Sequence, residues 1–374
     1  MRLPLSPRTK LSTKVQPTFG DTGWDHFEHS SKPRINMVDK LAPQDPRVQY
    51  KSAEVNGRTY SYILAEPQNG AEPVATIFLI HGWPDMAFGW RYQIPALQAL
   101  NFRVVAPNMQ GYSSSSSPQE LSAFTYKTAG DDVAALAKAI GVSSIILGGH
   151  DWGGAIVYRI ALHHPELVSA VFSVCTPFFP PQQKYVPITV RANFKYQLQL
   201  QGPDVEREIV GKAKLAQMLN ALYGGRTPER ELGFSVADGV HFSQLEKLGP
   251  SPLLSREELD HYAEQYAING IRGPLNWYRT GELNFEDEKE LAELFHKEDG
   301  TAYKVEIPTM FIAGSRDAAL PPAMGEGMKQ WFGEGKLRRE EVDSSHWALW
   351  EKPEEINAYV KDFVLGVVGG KSHL

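Results

Sequence analysis

A single cysteine, Cys175, stands in the chain of 374 residues, so an intrachain disulfide is excluded and an intracellular compartment is expected. No apolar run approaches the ~20 residues that a membrane-spanning helix needs, and the N-terminus lacks the apolar core of a signal peptide. There is no basic excess: 38 Lys and Arg stand against 44 Asp and Glu, a net charge of −6. With no basic patch either, nucleic acid is not expected as a partner. No Cys/His spacing of a metal site and no phosphate-cradling glycine loop occurs, so neither a metal nor a cofactor is expected. What remains, at 42% hydrophobic and 22% charged residues, is ordinary globular composition with enough length for a large core.

Residues 1–42 are polar, contain proline and lack periodicity, and read as a disordered or loosely attached extension; Met37 could serve as an alternative start. Val48 to Glu66 alternates around Asn56-Gly57, a hairpin turn signal. Val74 to Ile80, Arg103 to Pro107, Ser143 to Leu147, Val168 to Val174, Thr309 to Ala313 and Leu337 to Val342 read as further strands, separated by helical stretches such as Asp131 to Ile140. Strands alternating with helices imply an α/β fold with a mostly parallel sheet. The alternation stops between Thr176 and about Ala302, where Val205 to Tyr223 and Ser255 to Ile268 have helical character. An insertion of that length exceeds a connecting loop. It reads as a helical cap, residues 177–302, inserted after the sixth strand over the strand ends where open α/β sheets bind ligands. Residues 43–176 and 303–368 then form the core, and residues 369–374 a flexible tail.

The chemistry concentrates at Gly149-His150-Asp151-Trp152-Gly153-Gly154. It joins an apolar strand to a helix through a turn whose small residues, two before and two and three after Asp151, have the spacing of a nucleophile elbow. A helix N-cap would account for the aspartate but not for those glycines. The usual occupant is Ser. An Asp nucleophile forms an alkyl ester and suits attack on saturated carbon bearing a leaving group, such as an epoxide or alkyl halide. Hydrolysis of that ester needs a base. His346, in a loop beyond the last strand, has the best context in this fold's order of nucleophile, acid, His. Its orienting carboxylate is sought after one of two strands. Cys175-Thr176-Pro177 offers none, whereas Gly314-Ser315-Arg316-Asp317 offers Asp317. An oxyanion hole for the second step falls to the backbone N–H groups of Trp152 and of Trp83, in His81-Gly82-Trp83-Pro84; a cis Trp83–Pro84 bond would fix the latter. His81 reads as a structural hydrogen-bonding residue.

His81-Gly82-Trp83-Pro84, the Asp151 elbow and the placement of Asp317 and His346 resemble the soluble epoxide hydrolases of the α/β-hydrolase superfamily, over about residues 40–365 and closest to fungal members. The resemblance implies an α/β-hydrolase fold and conversion of a small-molecule epoxide and water to a vicinal diol. It also implies two lid tyrosines, Tyr196 in Phe194-Lys195-Tyr196-Gln197-Leu198 and Tyr278 in Arg272-Gly273-Pro274-Leu275-Asn276-Trp277-Tyr278-Arg279. Phenolic O–H groups suit the task of holding and protonating the ring oxygen as it leaves. Ser113 follows Tyr112 where family members often have glycine. Animal relatives carry an N-terminal phosphatase domain, for which this chain has no room. Trp83, Trp152, Phe178 and Trp277 are the candidate substrate-binding residues. A haloalkane or haloacid dehalogenase shares the Asp nucleophile, and a non-catalytic ligand-binding protein shares the fold; the two tyrosines and the intact triad favour the epoxide reading over both. The terminal Ser372-His373-Leu374 is similar to a peroxisomal address, so a cytoplasmic or peroxisomal location is expected. Detoxification is compatible with this reading, and a homodimer is left open.

Overall fold

The computed structural model describes residues 38–190, 194–297 and 301–370. The chain runs β1 (Gln49–Val55), β2 (Arg58–Ala65), β3 (Thr76–Ile80), α1 (Gln93–Gln98), β4 (Arg103–Pro107), α2 (Tyr126–Ala139), β5 (Ile145–His150), α3 (Trp152–His163) and β6 (Val168–Val174). It returns to the sheet with β9 (Thr309–Gly314) and β10 (Leu337–Val342), then closes with α11 (Ala348–Glu351) and α12 (Pro353–Val368). The eight strands lie in the order β1-β2-β4-β3-β5-β6-β9-β10. Asn56 and Gly57 turn the β1–β2 hairpin at φ 50° and 76°, the left-handed conformation that a two-residue hairpin demands. β1, β2 and β4 pair antiparallel, and every other pairing is parallel.

The burial of each strand follows its sequence. Thr76-Ile77-Phe78-Leu79-Ile80 of β3 is buried throughout, because helices cover both faces of a parallel sheet. β10, Leu337-Arg338-Arg339-Glu340-Glu341-Val342, is one edge of the sheet, with Arg339 and Glu341 exposed and Arg338 and Glu340 half-buried, charges that guard an open edge against strand addition. One helical layer pairs α2 with α3 and the other α1 with α12; both layers contact β6. Trp90, Phe78, Phe102, Phe172 and Phe311 are among the largest fully buried side chains.

Between β6 and β9 the chain leaves the main sheet. It forms α4 (Tyr196–Gln201), α5 (Asp204–Glu208), α6 (Gly211–Leu222), a ribbon of β7 (Phe234–Ser235) and β8 (Gly239–Val240), α7 (Arg256–Asn269), α8 (Arg272–Arg279), α9 (Gly281–Asp287) and α10 (Lys289–Phe295). Val205 to Tyr223 is thus two helices, broken at Ile209-Val210 where Gly211 takes φ 81°. α7 opens on a reciprocal capping box: Ser255 accepts from the Glu258 amide and Glu258 from the Ser255 amide, satisfying two amides otherwise orphaned at a helix start.

α7 is bolted to the core. The Tyr262 hydroxyl donates to Asp85 Oδ1 and the Tyr266 hydroxyl to the Pro84 carbonyl, both at 2.6 Å. Glu258 Oε1 takes Arg91 Nε at 2.9 Å and Lys40 Nζ at 2.8 Å. The guanidinium of Arg91 also stacks 4.1 Å over the Trp350 ring. α8 approaches so closely that a Cβ on Gly273 would collide with the Gly111 backbone. Ser113, at φ 52° where glycine would sit more easily, donates to Gln265 Oε1 at 2.6 Å and accepts the Asn269 amide on its carbonyl. The departure from the family pattern therefore gains one contact to α7, that of the Ser113 hydroxyl; the carbonyl contact would be open to glycine as well.

The expected loose extension over residues 1–42 is corrected at its end. Leu41 is fully buried, its amide donates to the Arg91 carbonyl, and Lys40 is paired with Glu258. An apolar side chain and an ion pair hold this short segment where polar composition alone gave no sign of it. Residues 1–37 and the Ser372-His373-Leu374 address lie outside the described residues. Among the described residues no helix is long and apolar enough to cross a membrane.

Candidate active site

The site sits at the carboxyl ends of the parallel strands. β3 pairs with β4 on one side and β5 on the other, so the order in which strands are laid down reverses there and opens a crevice between the loops that follow. The loop after β3 carries Trp83, the turn after β5 Asp151, the loop after β9 Asp317 and the loop after β10 His346.

Asp151 stands between strand and helix at φ 55°, ψ −125°, a conformation that costs on the order of 1–3 kcal/mol for a residue with a side chain. Its neighbours explain how the turn closes so tightly. A Cβ on Gly149 would run into the Gly153 carbonyl, and one on Gly153 into the Ile80 carbonyl. The Asp151 carbonyl is held by the Thr176 hydroxyl at 2.7 Å. The turn aims the carboxylate into the crevice. Oδ1 accepts the Trp83 amide at 2.7 Å, and Oδ2 lies 3.3 Å from His346 Nε2. The Trp83–Pro84 peptide is cis. The Trp152 amide opens α3, where the first N–H groups have no partner within the helix.

On the far side of His346, Nδ1 is 2.6 Å from Asp317 Oδ2. Asp317 is fixed in turn by the Ala319 and Leu320 amides, each 2.9 Å from Oδ1. Burial disfavours the Asp317 carboxylate, but the facing imidazolium and these amides outweigh it and lower its pKa to about 2. Burial likewise disfavours charge on His346, yet the Asp317 charge and its contacts with both carboxylates raise it to about 10. Both contacts thus favour the charged imidazolium over the neutral ring. All three residues expected to form the triad are therefore brought together.

His81 and His150 are different. His81 Nε2 accepts the Met109 amide at 3.0 Å, so Nδ1 carries the proton and donates to the Gly82 carbonyl at 2.9 Å. His150 Nε2 donates to the His346 carbonyl at 2.8 Å. Burial lowers each to a pKa of about 4, so both stay neutral and hold the backbone around the site. His150, Cys175 and His346 place potential donor atoms within 4.8 Å of one another, a cluster that separations of 25 and 171 residues in sequence concealed. His150 Nε2 and Cys175 Sγ are both turned to the His346 carbonyl. Burial and the Asp317 charge push the Cys175 thiol well up and keep it protonated, and His346 faces two carboxylates. The donor set fits a metal poorly, since a metal needs thiolate and neutral imidazole.

Tyr278 packs edge-on to Trp83 and Trp152, with ring centroids 5.4 and 5.1 Å away. Tyr196 packs edge-on to Tyr278 at 6.2 Å. Both are buried. Burial first, and the Asp151 charge with it, raises both phenols above their ordinary range, so both keep their protons at any working pH.

Over Asp151 lies a cavity of about 1280 Å³, open solvent at its mouth included. Trp152 and Trp277 line it as expected; the Trp277 indole N–H donates to the Gln110 carbonyl at 3.1 Å, which fixes its ring. Two expectations are corrected. Phe178 turns away and packs with Tyr158, Phe295 and Phe332, leaving Phe179 to line the cavity. The Trp83 indole is buried behind Tyr278 and Phe234, so Trp83 meets the site through its amide. Sequence reasoning also missed Arg159 and Glu288 in the cavity wall and the hydroxyls of Tyr262 and Tyr266. One of fifteen tyrosines on a helix carries no mark of the backbone it will reach.

A parallel sheet with helices on both faces, an acid-bearing elbow and a buried acid–His pair at the strand ends define an α/β-hydrolase, and residues 75–353 match the family model described as the alpha/beta hydrolase fold. The chain is 39% identical to epoxide hydrolase srdG of Neurospora crassa, over 87% of this chain and 98% of that one. It is 32% identical to bifunctional epoxide hydrolase 2 of Sus scrofa, over 84% of this chain and 56% of that longer protein. The crystal structure of epoxide hydrolase A from Mycobacterium thermoresistibile superposes with a TM-score of 0.70 at 30% identity, covering 85% of this chain and 98% of that one. Within the α/β-hydrolases, the chain belongs to the epoxide hydrolase family.

Proposed function

We propose that the protein converts an epoxide and water to a vicinal diol through a covalent ester on Asp151, with residues 177–302 acting as a lid over the core. The observation that carries this reading is the aspartate at the elbow, one oxygen on the Trp83 amide and the other beside His346, beneath two buried tyrosines. A carboxylate held there attacks the less hindered epoxide carbon in line. The C–O bond breaks as the ester bond forms. The hydroxyls of Tyr196 and Tyr278 hold the departing oxygen, and one gives it a proton, since an alkoxide is a far stronger base than a phenolate.

The ester then turns His346 into a base. While Asp151 is an anion, it helps to hold the imidazolium in its charged form. Esterification removes that charge, and the imidazolium gives up its proton, through solvent, to the phenolate left by the first step. Neutral His346, oriented by Asp317, takes a proton from water, which attacks the Asp151 carbonyl carbon. The Trp83 and Trp152 amides receive the charge on the tetrahedral intermediate. Collapse breaks the ester C–O bond, the departing diol oxygen takes the proton of the new carboxyl group, and the carboxylate, the imidazolium and both phenols are restored.

The test is His346→Gln incubated with a simple aryl epoxide. The variant should gain the mass of one substrate on the peptide containing Asp151 and hold it, while Asp151→Ala gains nothing and forms no diol. Absence of an adduct on His346→Gln would overturn the covalent route.

A further inference from the structure

Besides Asp151, the charged side chains among the described residues lining the cavity are Arg159 and Glu288. They face each other as a fork: Arg159 Nε is 2.7 Å from Glu288 Oε1, and Nη2 is 3.0 Å from Oε2. The remaining nitrogen, Nη1, donates to the Phe179 carbonyl at 2.8 Å. Both side chains are about nine-tenths buried, with exposures of 10% and 9%. Arg159 is on the core helix α3, eight residues beyond the nucleophile, and so ~12 Å from it along the helix axis. Glu288 sits between α9 and α10, on the insertion. Apolar wall such as Phe179, Val186, Ile188 and Phe285 lines the same cavity.

An unpaired guanidinium in such a wall would be an anchor for a carboxylate or phosphate. Here its fork is already filled. An anionic end reaching this part of the cavity would meet the Glu288 carboxylate beside an apolar wall, or would have to displace it and leave that buried charge unpaired. A neutral chain end meets neither obstacle and gains from the apolar wall. We propose that the Arg159–Glu288 pair is a specificity device that restricts the cavity to elongated, neutral, lipophilic epoxides and rejects those bearing a carboxylate or phosphate at the far end. The inference rests on the epoxide reading above.

The test compares epoxidised oleic acid with its methyl ester on the full chain, with styrene oxide as a third substrate too short to reach the pair. The methyl ester should have a kcat/KM roughly tenfold or more above that of the acid, the scale of one charge-assisted contact. Glu288→Gln retains the shape and one acceptor while unmasking Arg159, and should move the acid-to-ester ratio toward the acid by a similar factor. Because the readout is a ratio within one preparation, any loss common to both substrates cancels. A second measurement needs no variant: a saturated fatty amide should inhibit the unaltered chain with a Ki roughly tenfold below that of the matching fatty acid. Equal use of acid and ester, or an acid preference, overturns the proposal, as does a ratio unmoved by Glu288→Gln or inhibition that favours the acid. Failure to open any of the three epoxides would instead overturn the epoxide reading itself.

Discussion

If esterification of Asp151 is what makes His346 basic, then resting enzyme and intermediate must titrate differently. Oδ2 of Asp151 lies 3.3 Å from His346 Nε2. At an effective dielectric of ~20, two unit charges at that separation attract by about 5 kcal/mol. Loss of the Asp151 charge should therefore make the imidazolium easier to deprotonate by roughly three to four orders of magnitude. The free imidazole, lifted to about 10, should still hold its proton at about pH 9 when its ring protons are followed by NMR. Ester hydrolysis, measured by rapid quench after a single turnover and mass spectrometry of the Asp151 peptide, should already have levelled off well below that pH. Asp317 flanks both states and so cannot produce the difference. If hydrolysis rises with the same midpoint as the resting imidazole, the ester does not act as the switch and the reasoning fails.

Tyr196→Phe and Tyr278→Phe should each slow ester formation by roughly 10- to 100-fold, the worth of a hydrogen bond to a charged group, and the double variant by more. Stopped-flow or quench data showing normal ester formation in the double variant would remove both from the chemistry. Tyr266→Phe strips the donor from the Pro84 carbonyl beside the Trp83 amide, at about 0.5–1.5 kcal/mol. Ester hydrolysis should slow by roughly two- to tenfold while ester formation changes less, and equal loss in both steps would mark a merely structural role. The Asp317–His346 pair should stabilise the fold within a pH window. The depressed Asp317 contributes above the ordinary carboxylate range and loses its effect as pH falls through about 2; the raised His346 contributes below the ordinary histidine range and loses its effect as pH rises through about 10. Thermal melts should show the largest deficit of Asp317→Asn at roughly pH 4–6, narrowing towards both ends.

The elbow could be read in the sequence because its geometry forbids side chains at fixed offsets. Gly149 and Gly153 abut carbonyl oxygens, so a steric demand is written as residue type. The sheet was legible for a similar reason: buried parallel strands such as β3 leave unbroken apolar runs. Asp317 and His346 followed from strand order. Phe178 and Phe179 show where such reading stops, since adjacent identical residues point to opposite environments and no local rule distinguishes them. The break between α5 and α6 was hidden by helical residues on both sides of Ile209-Val210. The Arg159–Glu288 pair spans 129 residues, and only the folded chain brings its halves together.

The bolting of α7 to the core has an engineering consequence. Tyr266 grips the carbonyl of Pro84, next to the residue whose amide touches Asp151, while Tyr262 grips Asp85 one position further on. The insertion's α7 and the loop that carries the Trp83 amide are thus a single mechanical part. Grafting a foreign insertion between β6 and β9 to alter substrate range would also release the loop after β3, and the graft would fail in turnover before it failed in binding. A transplant that brings its own partners for Pro84 and Asp85, or leaves α7 in place and varies only the wall near Phe179 and Glu288, keeps the two halves registered.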